Sequence, residues 1–371
     1  MMMPSAERSI AELEARVGER VAFRDEDLAN TEGTRDNFRQ FASGSLDGNP
    51  LWHDEDYAKA TKWGGLVAKP TWLASVLRPP MCRTCFVPEG FAAVDGEVHW
   101  EFINPVKVGD RFRVFGELAK VQPKEMRAFG ASAVTSGVTL YETAEGTPLA
   151  RVTSVVIQYL RAGVSAKRTA DSQPISPATG PDLLAPYVAL ARVKRRGPEP
   201  RYWDDVVPGQ QLEPVRRGTV TQGEILQWYM GYHPMNWWRD VRDLAARVAD
   251  GETVDLPERA LDFYVRHLDP AVAQRDGIPT GFDVGVQRTA WLSEYIHNWI
   301  GDAGTLIKLS CRFRGLLYHG DTPEFSGIVV SKLRDGDLRL VNLEVSIKNH
   351  RGELVSPCSA VVALPSRGGP E

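Results

Sequence analysis

The chain has 371 residues, 43% hydrophobic and 25% charged, with 44 Lys and Arg against 48 Asp and Glu for a net charge of −4. That length suits two or three domains of about 100–200 residues, and the composition excludes global disorder. With no basic excess to displace counterions, a general nucleic-acid binder or anionic-membrane binder is excluded as well.

In chain order, the N-terminal MMMPSAERSIAELEARVGERV lacks the apolar core of a secretion signal and predicts a short charged helix. No run of about 18 apolar residues occurs, so no membrane-spanning helix is expected. The four Cys make no disulfide framework and point to a reducing cytoplasm. Between two flanks that look folded, residues 162–200 are rich in Pro, Ser, Ala and basic residues and predict a linker, with one short helix around Leu183 to Val193. The division is therefore 1–161, a linker 162–200, and 201–371, each flank being long enough for its own core.

The two flanks repeat one order of signals. A capping Thr opens a helix in each: Thr34 before RDNFRQFA and Thr221 before QGEILQWYM. An irregular loop follows, then a Gly-rich turn, Gly64-Gly65-Leu66-Val67-Ala68 or Gly281-Phe282-Asp283-Val284-Gly285. A longer helix comes next, TWLASVLR or QRTAWLSEYIHNWIG, the second with Trp291, Leu292, Tyr295, Ile296 and Trp299 on one apolar face. Strands close each half, preceded by Gly109-Asp110 or Gly320-Asp321, and Arg334-Asp335-Gly336-Asp337 signals a hairpin. The pattern predicts an internal duplication in an α+β chain. An α+β chain without duplication is the alternative.

These elements resemble two fused hotdog repeats, each an antiparallel sheet wrapped around a central helix. The motifs resemble those of the MaoC-like dehydratase / R-specific enoyl-CoA hydratase family, in which Asp, one residue, Asn-Pro, one residue and His precede a Gly-rich turn. The first half reads Asp47-Gly48-Asn49-Pro50-Leu51-Trp52-His53-Asp54, with Trp52 in the place of the His and His53 one residue late. It is similar to the N-terminal dehydratase domains of tandem members, which shape the substrate cavity. In the second half Asp262 and His267 have the family spacing, while Tyr264 and Val265 stand where the family has Asn and Pro. The capping Thr lies 13 residues before the Asp in the first half and 41 in the second, so the second carries an insertion at about 234–261.

The resemblance implies a cofactor-independent enoyl-CoA hydratase / 3-hydroxyacyl-CoA dehydratase with a coenzyme A thioester as substrate. His267, whose unperturbed pKa lies nearest 7, would be the base toward water. Asp262 would orient that water and exchange the second proton. The thioester oxygen would sit at the N-terminal end of the central helix, near the Gly285 N–H. Trp237 and Trp238 in the insertion, with Trp228 on the preceding helix, suggest a cover over a bulky or aromatic acyl group, the alternative being that these rings are core. Tyr232, His233, Asn236, Trp52 and His53 complete the candidate substrate-binding set. The rivals are a hotdog thioesterase and a non-catalytic acyl-thioester binder. Cys82-Arg83-Thr84-Cys85 lacks a second ligand pair for zinc, with Cys311 and Cys358 isolated in sequence. Lys194-Arg195-Arg196 reads as a solvated run, the alternative being contact with the phosphates of coenzyme A. No GxGxxG or GxxxxGK(S/T) motif occurs in a strand–helix setting, so no nucleotide redox cofactor or ATP is implied, and no metal is expected; the expected partner is a small acyl-CoA, with monomer and homodimer both open.

Overall fold

The computed structural model describes residues 6–78, 88, 91–126, 130–160, 185–232, 245–246, 248–251, 264–275 and 278–368. Its helices are α1 (Ala6–Ala15), α2 (Arg35–Gly44), α3 (Glu55–Lys59), α4 (Ala185–Ala191), α5 (Gln222–Tyr232), α6 (Pro270–Arg275) and α7 (Gly285–Ile300). Its strands are β1 (Arg20–Ala22), β2 (Phe91–Phe102), β3 (Phe112–Met126), β4 (Gly130–Thr143), β5 (Pro148–Leu160), β6 (Gln211–Arg216), β7 (Thr305–Arg312), β8 (Glu324–Asp335), β9 (Leu338–Lys348) and β10 (Leu354–Ala363). None of the described helices is long and apolar enough to cross a membrane.

All ten strands form one antiparallel sheet in the order β1-β3-β4-β5-β2-β7-β10-β9-β8-β6. The order is mirrored about β2 and β7, as a duplication with a pseudo-twofold axis requires. At that seam opposite charges face each other across the strands: Glu97 meets Arg312 at 3.3 Å and Glu101 meets Lys308 at 3.4 Å. The duplication extends to single hydrogen bonds. Thr34 caps the Asn37 N–H and Thr221 caps that of Glu224, at 3.2 and 3.1 Å. Asp110 accepts from Lys107 N–H and Asp321 from Tyr318 N–H, at 2.7 and 2.9 Å. The two-repeat expectation therefore holds.

The repeats do not have separate interiors. One continuous core holds Trp72, Trp100 and Tyr141 from the first half with Trp228, Trp291 and Ile296 from the second. Helices α2 and α5 cross at a glycine pair. A Cβ on Gly231 would lie 2.6 Å from the Gly44 Cα and 2.4 Å from the Gln40 carbonyl, so the crossing distance depends on having no side chain there.

Three sequence expectations change. The helix expected over TWLASVLR is only a six-residue 3-10 turn, Pro70–Ser75. Arg78 precedes Pro79-Pro80, and a residue before proline is pushed out of the α region, so a long helix cannot continue there. Strands β1, β2 and β6 join those expected, and β7 stops at Arg312 rather than running to Tyr318. The expected linker is described from residue 185, where α4 forms within the expected span. Beyond it the chain packs on the end of α7, with Asp302 N–H donating to the Gly197 carbonyl at 2.9 Å.

Candidate functional site

Helix α7 is the frame of the site. Its first-turn N–H groups have no intrahelical acceptor, and its positive end favours developing negative charge. Gly285 is its first residue. The segment leading into it is held by a buried fork. The Arg288 guanidinium donates to both Asp283 carboxylate oxygens at 2.6 and 2.7 Å, and to the Gly315 carbonyl and Ser356 hydroxyl at 2.9 and 2.8 Å. Asp283 also accepts from the Leu317 N–H at 3.1 Å. Such bidentate pairing fixes direction as well as distance, so the start of α7 is rigidly aimed.

His267 lies on a helical turn over 264–268 and is buried. Its Nδ1 is 3.0 Å from the Phe282 carbonyl, three residues before Gly285. A carbonyl only accepts, so Nδ1 carries the hydrogen and, in the neutral ring, the lone pair lies on Nε2. Burial, reinforced by the Arg266 and Arg78 charges, holds the imidazole pKa well below the usual histidine range. The ring is therefore neutral near pH 7. His319 Nε2–H donates to the His267 carbonyl at 2.8 Å, fixing the backbone as well. This contact depends on Gly281, where a Cβ would stand 2.2 Å from the His319 ring and 2.7 Å from the His267 carbonyl oxygen.

The first repeat contributes a charge to the same place. Asp95 sits in β2 where the register with β5 shifts between Asp95 and Glu97. A bulge re-aims the side chain it carries. A Cβ on Gly285 would be 3.1 Å from Asp95 Oδ2, so the carboxylate closely approaches the start of α7. Arg78 neutralises it through an Nη2–H donated to Oδ2 at 2.9 Å, both side chains being largely buried. Asp95, Trp100, Gly285, Thr289 and Phe313 border a space of about 10 Å³. That is room for about one water. The buried Trp100 indole N–H has no hydrogen-bond partner there, a donor that a water or a ligand oxygen would satisfy.

The other expected site residues have the following places. Asp262, His233, Asn236 and Trp237 lie outside the described residues, as do Trp238, Cys82 and Cys85. Trp228 and Tyr232 are fully buried between α2 and α5, stacked at 4.9 Å with an interplanar angle of 14°. The Trp228 Nε1 and Tyr232 hydroxyl lack hydrogen-bond partners among the described residues. Burial raises the Tyr232 phenol well above its ordinary pKa, with Arg78 and Asp95 among the charges it senses. Trp52 is buried, its indole donating to Asp47 Oδ2 at 3.1 Å, while Asp47 pairs with Lys69 at 2.9 Å. His53 is exposed. Cys311 and Cys358, isolated in sequence, are opposite each other across β7 and β10. Among the described residues no group of three or more His, Cys, Asp or Glu could hold a metal.

Arg78, Asp95 and the Asp283–Arg288 fork were not anticipated. Gly96, with Asp95 before it inside the run FAAVDGEVHWEF, is the signal that would have flagged the bulge.

The geometry can be set beside known proteins. The model of the FAS1-like dehydratase domain region matches residues 22–152. A UPF0336 protein of Parafrankia sp. (strain EAN1pec) is 33% identical over 112 residues, covering 29% of this chain and 70% of that protein. Among solved structures, a MaoC-like dehydratase superposes with a TM-score of 0.68 at 18% identity, covering 95% of this chain and all of the other. A double-hotdog protein of Mycobacterium tuberculosis, Rv0216, reaches 0.57 at 14% identity, covering 94% and 96% of the two chains. A MaoC-like dehydratase of Phytophthora capsici reaches 0.54 at 11% identity, covering 95% and 97%.

Proposed function

Because the chain belongs to the double-hotdog MaoC-like dehydratase family, with a FAS1-like dehydratase domain as its N-terminal half, we propose that it is a hydro-lyase interconverting an enoyl-CoA and a 3-hydroxyacyl-CoA. The observation that carries this reading is the hydrogen bond from His267 Nδ1 to the Phe282 carbonyl. It holds a neutral imidazole, with its lone pair on Nε2, against the segment that becomes α7.

In the hydration direction, a water oxygen bonds to the β-carbon while its proton passes to His267 Nε2. The π electrons move through the α-carbon onto the thioester oxygen, giving an enolate. The Gly285 N–H donates to that oxygen, aided by the helix dipole. Losing one such donor typically costs roughly 10²–10³ in rate. A proton then reaches the α-carbon, and the enolate electrons return to restore the thioester carbonyl. We assign this second transfer, and the orientation of the water, to Asp262, which delivers its proton to the α-carbon and takes back the one held by His267, so that both groups end as they began. The first repeat supports the pairing: Asp47 and Trp52 have the same five-residue spacing, and their side chains meet at 3.1 Å. The insertion that follows α5 would shape the acyl pocket for a bulky or aromatic group, with Trp228 and Tyr232 packed in the core behind it.

The test is incubation with medium-chain and aromatic enoyl-CoAs, reading conjugated absorbance and free thiol separately. Loss of absorbance without thiol release is expected, and is to disappear in His267→Ala. Thiol release would replace the reading with a thioesterase, and no change in either signal with a binding protein.

A further inference from the structure

Far from Gly285, the chain between α4 and β6 borders a second, much larger cleft of about 660 Å³. Six cations line it: Arg192, Lys194, Arg195, Arg196, Arg201 and Arg216, against two acids, Glu199 and Glu213. Glu324 at its edge pairs with Arg216 at 2.6 Å, so the local excess is three positive charges on a chain whose net charge is −4. Its floor is the last part of α7, where Tyr295 and Trp299 lie ten and fourteen residues from Gly285. At about 1.5 Å per residue, that is roughly 15–20 Å along the helix.

We infer that this cleft binds an organic polyphosphate of nucleotide size. Three features point there together. The volume lies within the usual range for small-molecule sites, about 300–1,000 Å³. Arg192, Lys194 and Arg195 form no ion pair among the described residues, so their charge is available to a ligand. The deeper guanidiniums are already placed. Arg201 donates Nε–H to the Trp299 carbonyl at 2.7 Å and lies over the Trp299 ring at 4.4 Å, while the buried Arg196 Nε has no hydrogen-bond partner among the described residues. These two cations also crowd each other: burial, then the Arg196 charge, lowers the Arg201 pKa to about 10. Glu199, 3.4 Å from Arg196 Nη2, offsets part of this crowding, and a ligand anion would offset the rest while its oxygen satisfied the remaining Nε donor. A single carboxylate or sulfate would leave most of these cations unmatched, whereas two or three phosphates match them.

Two sources share this chemistry: a free nucleoside polyphosphate, and the phosphorylated adenosine end of a coenzyme A thioester, the latter resting on the hydratase reading. Calorimetric titration of the full chain with ATP, adenosine 3′,5′-bisphosphate and neutral adenosine tests the site itself. The two nucleotides are expected to bind and to weaken with added salt, and adenosine to bind far less. In a variant with Arg192, Lys194 and Arg195 all changed to Glu, nucleotide binding is expected to weaken at least about tenfold. The melting temperature should hold, because these residues are exposed. An unreactive alkyl-CoA thioether then separates the sources, whatever the enzyme's activity. Binding that is weakened in parallel assigns the cleft to the coenzyme A end; undiminished binding assigns it to a free nucleotide. Failure of both nucleotides to bind, or equal binding by the charge-reversed variant, would overturn the inference.

Discussion

In the first repeat the indole N–H of Trp52 donates to Asp47 Oδ2 at 3.1 Å, where the second repeat has His267 five residues after Asp262. In the proposed reading the same spacing would serve two purposes. Asp47 also accepts from the Asn49 N–H at 3.0 Å and pairs with Lys69 at 2.9 Å, so its carboxylate is occupied by structural bonds. Burial alone would raise the Asp47 pKa, but the Lys69 charge and these hydrogen bonds outweigh it and leave the pKa below the ordinary value. Lys69→Met strands that charge inside the protein. It is expected to cost about 3–5 kcal/mol in a urea-unfolding experiment, the usual penalty for removing one member of a buried pair. The double variant, Lys69→Met with Asp47→Asn, should recover much of the loss.

Replacing His267 by Ala should lower turnover about 10²–10⁴-fold, the range supplied by a positioned general base. In the unchanged chain the acid limb of turnover against pH should fall well below the free histidine value of about 6.5, because the buried ring resists protonation. Stability carries the same sign. Burial also lowers the pKa of His297. These two rings contribute stability that is complete above about pH 6.5 and is lost as pH falls from there toward their folded values. Glu224 titrates with the opposite sign over this range, so the check is made in Glu224→Gln: a melting temperature that stayed flat in that variant as pH fell from 6.5 to 5 would contradict this.

Glu224 has the opposite sign. Its carboxylate is buried with neither oxygen hydrogen-bonded among the described residues, and burial, with a contribution from Asp283, pushes its pKa up to about 8. The folded chain therefore holds this proton where the unfolded chain has released it. The associated stability is complete below the ordinary glutamate value and is lost as pH rises through about 8. Glu224→Gln removes the titration, and the first repeat has an amide, Asn37, at the equivalent position. Its advantage in unfolding free energy should grow with pH by roughly 1 kcal/mol per unit up to about pH 8 and then level off.

Arg78→Met leaves the Asp95 charge uncompensated beside Gly285, where the enolate oxygen is proposed to develop. Like charge opposes that step, so turnover should fall about 10-fold or more while KM changes less. Adding Asp95→Asn removes the unpaired charge and should return most of the rate. An equally slow double variant would show that Arg78 acts through packing.

Gly281→Ala should be far worse than an exposed Gly-to-Ala change. The new Cβ meets the His319 ring and the His267 carbonyl at the same time. Overpacking of this kind costs about 1–3 kcal/mol, and the displaced His267 should lower kcat beyond what the stability loss explains.

Much of the architecture was legible before any coordinates. The capping threonines, the Gly-Asp steps and the alternating strands recur in order, and each is a local signal: a cap needs one oxygen, a turn one glycine, a strand one period. His267 and Gly285 were visible for the same reason, since they belong to one short stretch. Only the tertiary structure decided that the halves share a single core, that Trp228 and Tyr232 are packed into it, and that Asp95 and Arg78 of the first repeat reach the helix start of the second. It also brought the lysine- and arginine-rich run after α4 to the far end of α7, where a solvated segment becomes the rim of a cleft. Local pattern records what one segment can do alone. Which distant segments meet depends on the β2–β7 seam and the Gly44–Gly231 crossing, contacts between residues far apart in the chain that leave no periodic trace in it.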